Sequence, residues 1–287
     1  MFAGLLFSAG ALGDRFGRKG ALQLGLVVFA SGSLFGALAD TSTQVIVARA
    51  IMGAGAAFVM PSTLSILTNV FPSRERARAI AIWAGISGAG AAIGPLASGL
   101  LLEHFWWGSV FLVNIPIVAL ALVFGAVLVP QSKDRTATPL DPLGALLSIV
   151  GMSSLVYAII EGPRHGWVSL SSLVWFGTAA VAIGLFVLWE STTKNPMLDL
   201  KLFKDRRFAV ASGGITLTFF ALFGTFYMLT QYLQFVLDYS PLGAAVRLLP
   251  VSLVLMLVAP QTPKLVARFG ADRVASTGSV GPPRPER

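Results

Sequence analysis

Eight long apolar runs dominate this chain, over about 21-39, 44-71, 79-102, 109-129, 143-161, 171-190, 208-237 and 242-262, with short polar breaks between them. A helix needs ~20 apolar residues to cross the hydrocarbon core of a bilayer, and each run reaches that length. No water is present inside lipid to satisfy backbone N–H and C=O groups, so runs of this kind are held to the helix, which bonds them internally. Composition agrees: 55% hydrophobic and 12% charged residues, with a mean hydropathy of +0.77, exclude an ordinary soluble domain. The expected fold is all-α, a polytopic transmembrane helical bundle.

Charge orients the bundle. Sixteen bases gather in alternate breaks: Arg15, Arg18 and Lys19; Arg74, Arg76 and Arg78; Lys133 and Arg135; Lys194, Lys201, Lys204, Arg206 and Arg207; Lys264, Arg268 and Arg273. The opposite breaks hold Arg164, with Arg247 near a helix start. Basic residues collect in cytoplasmic loops, so the first set faces the cytoplasm. The same distribution explains a net charge of +8 without nucleic acid, because the bases sit between apolar runs and not along one helix face. Trp106, Trp107, Trp167 and Trp175 fall at the outer boundaries, where amphipathic rings anchor at headgroup depth. His104 and His165 lie in outer breaks without a metal-ligand partner, and the absence of cysteine excludes disulfides and thiolate metal sites.

The two ends depart from this pattern. Residues 2-13 are apolar but cover only about 18 Å as a helix, so the chain is expected to start inside a span, with no cleavable signal peptide ahead of it. Residues 274-287 switch to a Gly/Pro/Arg tail that cannot span and is expected to be disordered.

Between 2-13 and 21-39 lies a charged turn, Gly10-Ala11-Leu12-Gly13-Asp14-Arg15-Phe16-Gly17-Arg18-Lys19. Its glycines permit a tight turn and close helix approach, and Asp14 can pair with Arg15, Arg18 or a base from another loop. The complete pattern G-x-L-x-D-R-x-G-R-K resembles the loop between the second and third spans of the major facilitator superfamily. That resemblance implies a cytoplasmic latch built from Gly10, Asp14, Arg15, Gly17, Arg18 and Lys19, holding the outward-facing state closed at its inner end. Part of the pattern returns as Leu265-Val266-Ala267-Arg268-Phe269-Gly270, again on the cytoplasmic side, and Arg268 and Gly270 form the echo expected of a repeated half.

Arg49 lies inside the run 44-71. A base within an apolar segment is costly and by default marks a functional position facing an interior cavity, although Arg49, five residues beyond Gln44, is within snorkelling reach of the outer surface. Arg49-Ala50-Ile51-Met52-Gly53-Ala54-Gly55 resembles the superfamily's fourth-span motif R-x-x-Q-G-x-G, whose arginine is implicated in proton transfer, with Met52 in place of the glutamine. Further on, Gly90-Ala91-Ala92-Ile93-Gly94-Pro95-Leu96-Ala97-Ser98-Gly99 sets small residues at helical spacing, a smooth face for close packing, with Pro95 favouring a kink. It resembles the antiporter motif G-x-x-x-G-P-x-x-G-G, with Ser98 as the departure. The resemblance implies that Gly90, Gly94, Pro95 and Gly99 belong to an exporter.

The stretch from Trp106 to Pro116 resembles the sixth-span start of the fourteen-span drug:proton antiporter group, and the runs 143-161 and 171-190 stand where that group carries two extra spans. The implied architecture is an incomplete bundle of major-facilitator type: 1-130 as a partial amino-terminal half, 131-207 as the linking spans, 208-273 as the start of the second half, and 274-287 as the tail. The implied function is proton-coupled export of lipophilic drugs or other small molecules by alternating access. The site is a multi-pass position in the plasma membrane, of bacterial inner-membrane type. The partners are the lipid bilayer, a small-molecule substrate and the proton. No cofactor is expected beyond the proton gradient as energy source, and neither nucleic acid nor a required protein partner. A second reading takes the chain as a truncated or accessory membrane protein without transport activity. A membrane enzyme fits worst, since D-D-x-x-D and H-E-x-x-H are absent and the charges form loop clusters, not a pocket; G-x-x-x-x-G-K-[ST], the signature of an ATP-driven pump, is absent too. Phe219, Phe220, Phe223, Phe226, Tyr227 and Met228 are apolar enough to meet such substrates, but residues at this helical spacing are more often lipid-facing or core.

Overall fold

The computed structural model describes residues 2–131, 141–193, 196–258, 261 and 268. Among them every regular element is helical: α1 (Phe2–Phe16), α2 (Arg18–Ala37), α3 (Ser42–Val70), α4 (Ser73–His104), the short α5 (Ser109–Leu112), α6 (Asn114–Leu128), α7 (Pro142–His165), α8 (Leu170–Thr192), α9 (Arg206–Gln231) and α10 (Pro241–Val258). A 3-10 turn over Leu200–Lys204 precedes α9, and a π-helical turn over Tyr232–Val236 follows it. Among the described residues, six helices are long and apolar enough to cross a membrane. The molecule is a multi-pass membrane protein. The helices overrun the apolar stretches at their polar ends: α4 begins at Ser73, ahead of the run that opens at Ala79. Apolarity marks where a helix meets lipid, and the helix itself continues through the loop residues that follow.

Packing divides the chain into two units, Met1–Ile66 with Gly108–Thr225, and Leu67–Trp107 with Phe226–Arg287. In the first unit α2 is central. Leu22 and Leu26 pack with Val118 of α6, joined by Phe29, Val59 and Ile66, and Ala37, Met52 and Phe111 form a second small cluster. Small residues bring α2 and α3 together: a Cβ on Gly25 would lie 2.7 Å from Phe58 Cβ, and one on Gly32 would lie 2.8 Å from the Met52 backbone nitrogen. Helices in lipid gain nothing from merely hiding apolar surface, so backbone approach of this kind supplies the attraction. α7 and α8 form a hairpin that turns at Gly166, whose φ of 87° is a left-handed value suited to glycine. Gly151 packs on Ile183 within that hairpin, and Ser148 Oγ donates to Gly4 O of α1 at 2.9 Å.

The second unit pairs α4 with α10. Its apolar cluster holds Leu233, Ala244 and Leu248 with Phe226 and Tyr239. Ser240 Oγ donates to Glu103 Oε1 at 2.7 Å, and the Arg247 guanidinium sits 3.5 Å from the centroid of the Tyr239 ring. Large apolar side chains such as Leu24, Val127, Leu188 and Phe220 are exposed along the helices. In water that would be an aggregation surface; a bilayer accommodates it. Among the described residues of α9 none is buried, so Phe219, Phe220, Phe223, Tyr227 and Met228 are exposed, and Phe219 stacks on Phe223 with centroids 6.0 Å apart.

Candidate functional site

The charged turn is built by one glycine. α1 ends at Phe16 and α2 begins at Arg18, and Gly17 between them adopts φ 121° and ψ 123°. A side chain there would be strained, so glycine is required. The Gly17 N–H donates to Gly13 O at 3.0 Å and the Gly17 carbonyl accepts from Ala21 N–H at 3.0 Å, which keeps the turn as tight as a turn between helices can be. Asp14 therefore lies one helical turn before Arg18, and Arg18 Nε donates to Asp14 Oδ1 at 2.7 Å. The same oxygen accepts from Ser65 Oγ of α3 at 3.0 Å. Lys19 Nζ donates to Ala126 O at 2.7 Å, a carbonyl in the last turn of α6 that has no donor within its own helix. Four helix ends are thus tied to ten residues of sequence, all within the first packing unit. Gly10 faces Pro61 of α3, with a Cβ position 3.5 Å from the Pro61 Cβ, and Gly13 faces Ser62 and Ala21. Arg15 is exposed at the end of α1 and is engaged in an interaction of its own.

Arg49 lies seven residues into α3 from Ser42, a depth of roughly 10 Å. Its guanidinium carbon sits 5.1 Å from the centroid of Phe111, within cation–π range. Phe111 is itself fixed. Its ring packs against Gly36, where an added Cβ would come within 2.8 Å of Cδ1. Its carbonyl accepts from Ser33 Oγ at 2.7 Å, and that hydroxyl in turn accepts from Asn114 Nδ2 at 3.0 Å. Ser33 is 0% exposed. Met52, standing where the resembling motif has glutamine, is buried beside Ala37 and Phe111 and serves packing. Among the described residues no carboxylate forms an ion pair with Arg49.

The small-residue stretch of α4 behaves unevenly. A Cβ on Gly99 would lie 2.8 Å from the Leu242 Cα and 3.0 Å from its nitrogen, so α10 meets α4 backbone to backbone at that point. Gly90 and Gly94 have open space around the same position. Of the three glycines, Gly99 is the one that meets a neighbour, and α4 continues as helix through Pro95. Of the echo near the carboxyl end, Arg268 is described and Gly270 lies outside the described residues, as does the tail from 274 onward.

The model for the Major Facilitator Superfamily matches residues 1–281. The chain belongs to this superfamily. Among superfamily proteins it is 40% identical over 267 residues to the multidrug resistance protein Stp of Mycobacterium tuberculosis, covering 93% of this chain and 50% of Stp. It is 39% identical over 281 residues to the multidrug efflux pump LfrA of Mycolicibacterium smegmatis, covering 98% of this chain and 56% of that pump. Against the methylenomycin A resistance protein of Bacillus subtilis it is 38% identical over 274 residues, covering 95% and 59%. The chain therefore spans about half the length of the curated relatives it matches. The major facilitator fold and the all-helical, membrane-crossing architecture agree with one another.

The structure gathers Gly10, Asp14, Gly17, Arg18 and Lys19 into one network with Ser65 and Ala126. It keeps Arg49 apart, on the Phe111 platform near the outer end of the same unit. Ser65, Ser33, Phe111 and Asn114 escaped the sequence reading. The one signal that pointed toward them was Phe111-Leu112-Val113-Asn114-Ile115-Pro116, noted there for its resemblance and not for its contacts.

Proposed function

We propose that this chain works in a secondary active transporter that exports lipophilic drugs in exchange for protons by alternating access, in a bacterial inner membrane. The observation that carries the reading is the similarity to drug-resistance and efflux proteins, over 93% of this chain for Stp and 98% for LfrA. In this reading Asp14, Arg18, Ser65 and Lys19 brace the inner ends of α1, α2, α3 and α6 so that the unit moves as one body when the transporter rocks. Arg49 serves the proton path. Its seat over Phe111 leaves the guanidinium nitrogens available, because a ring face satisfies the charge without consuming the donors.

The test uses the intact reading frame expressed in bacteria stripped of their own pumps. Accumulation of a fluorescent lipophilic cation should fall, and a protonophore should restore it. Arg49→Ala should abolish the difference while the protein still reaches the membrane fraction. Unchanged accumulation across a broad panel of lipophilic compounds would refute drug export, and an effect insensitive to the protonophore would refute proton coupling.

A further inference from the structure

Between α8 and α9 the chain makes a short turn of mixed character that neither the charged turn nor Arg49 uses. Both helices are long and apolar enough to cross a membrane, so the described residues between them, 196–205, lie at a membrane surface. Leu200–Lys204 form the 3-10 turn. Three residues complete each turn of such a helix, so side chains three apart eclipse. Lys201 and Lys204 therefore share one edge, separated along the axis by about 6 Å at the usual rise. Leu200 and Phe203 share a second edge, and Leu202 stands on the third.

The turn is held at both ends. Asp199 Oδ1 accepts from the Lys201 N–H at 3.0 Å, and the Leu198 N–H donates to Glu190 Oε2 of α8 at 3.0 Å. The Asp205 N–H donates to Leu202 O at 3.2 Å, and the Phe203 ring meets Phe208 of α9 edge-on, with centroids 5.3 Å apart. What this fixed turn presents is poorly suited to water alone. Leu202 and Phe203 are each 46% exposed and Phe208 is 38% exposed, while Lys201, Lys204 and Arg206 are exposed among them. Among the described residues no carboxylate forms an ion pair with any of the three bases. Of the acids beside them, Asp199 caps the turn and Asp205 is engaged in an interaction of its own.

A soluble anion would answer the bases and leave the apolar side chains bare, and an apolar partner would do the reverse. A phospholipid answers both, because its acyl chains cover the apolar groups while the bases reach its phosphate on flexible stems. A zwitterionic headgroup brings its own cation to that phosphate; an anionic one leaves it to the protein. We propose that residues 200–208 form a binding site for an anionic phospholipid, with Lys201, Lys204 and Arg206 on the headgroup phosphate and Leu202, Phe203 and Phe208 against the acyl chains, which fixes the α8–α9 junction to the membrane surface. The site rests on the membrane crossing of α8 and α9 and is independent of drug export.

The chain contains no cysteine, so Leu202→Cys takes a single nitroxide spin label. The purified full chain is placed in phosphatidylcholine vesicles with rising fractions of phosphatidylglycerol. The label should collide more often with oxygen, which dissolves among acyl chains, and less often with a water-soluble nickel chelate. Lys201→Gln with Lys204→Gln should raise the phosphatidylglycerol fraction needed for half of this change several-fold, since each base beside an anionic surface contributes roughly fivefold. Lys201→Arg with Lys204→Arg should keep the wild-type response. Arg74→Gln, Arg76→Gln and Arg78→Gln together remove more charge, from the start of α4, and should also leave it in place. A label indifferent to phosphatidylglycerol would overturn the proposal. So would a response lost as fully in the α4 variant, which would reduce the effect to overall surface charge, or one reproduced by inorganic phosphate in pure phosphatidylcholine, which would make the ligand a free anion.

Discussion

Three glycines of the α4 stretch look equivalent in sequence, and the structure sets Gly99 apart from Gly90 and Gly94 in its response to the same substitution. In Gly99→Ala the new methyl would stand 2.8 Å from the Leu242 Cα and 3.2 Å from the Pro241 carbonyl carbon. Carbon atoms in ordinary contact are ~3.5–4.0 Å apart, and backbone atoms cannot swing aside as a long side chain would. α10 must then retreat from α4, with loss of packing around Ala244 and Leu248; overpacking of this kind costs ~1–3 kcal/mol. In Gly94→Ala the methyl meets nothing within 4 Å, and replacing glycine by alanine inside a helix stabilises by up to ~1 kcal/mol. Both glycines lie inside α4, so the helix gain is common to the two variants, and Gly99→Ala should be the less stable by the overpacking cost of ~1–3 kcal/mol. Equilibrium unfolding of the detergent-solubilised protein, followed by helical circular dichroism, reads the difference. Equal stabilities for the two variants, or a larger loss in Gly94→Ala, would show that α10 does not seat on Gly99 as described.

Three further outcomes follow from the first packing unit. Ser33→Ala removes the buried hydroxyl that bridges Phe111 O and Asn114; a loss of ~1–3 kcal/mol is expected, whereas the exposed Ser31→Ala, whose hydroxyl bonds only Val28 O in its own helix, should be near neutral in the same unfolding experiment. Gly17→Ala forces a side chain into φ 121° and should cost ~1–3 kcal/mol, against a neutral or stabilising Gly20→Ala, which meets nothing within 4 Å. Asp14→Ala strips Arg18, only 15% exposed at its side chain, of its partner and frees Ser65; because Asp14 itself is 40% exposed, solvent screening holds the loss to about 1 kcal/mol, and that loss should shrink in high salt.

Six of the eight expected spans and the charged turn were legible in the sequence because each is written locally. An apolar run, a cluster of bases, or Asp14 and Arg18 one helical turn apart needs no knowledge of which helices are neighbours. The partners of that turn were not legible. Ser65 and Ala126 reach it from distant parts of the chain, and serine in a small-residue helix carries no mark of what it faces. The same limit applies to Gly90, Gly94 and Gly99: spacing shows that they share a helix face, and only the position of α10 shows which of them touches anything. Met52, in sequence a departure from the motif's glutamine, fills the space beside Phe111 in the structure. The burial of Asp141 and Glu190 was not legible, since burial at a helix terminus comes from the loop folded over it.

The bare surface of α9 bears on how the chain enters the membrane. Thr216, Thr218 and Thr230 return their hydroxyls to the carbonyls of Ser212, Gly214 and Phe226 one turn earlier, so these three groups need neither water nor a neighbour. A segment of this kind is able to leave the protein-conducting channel of the ribosome-bound insertion machinery alone, ahead of any assembly with other spans. Residues 206–237 fused between two soluble reporters should insert as a single crossing, and failure to do so would mean that α9 waits in the channel for company.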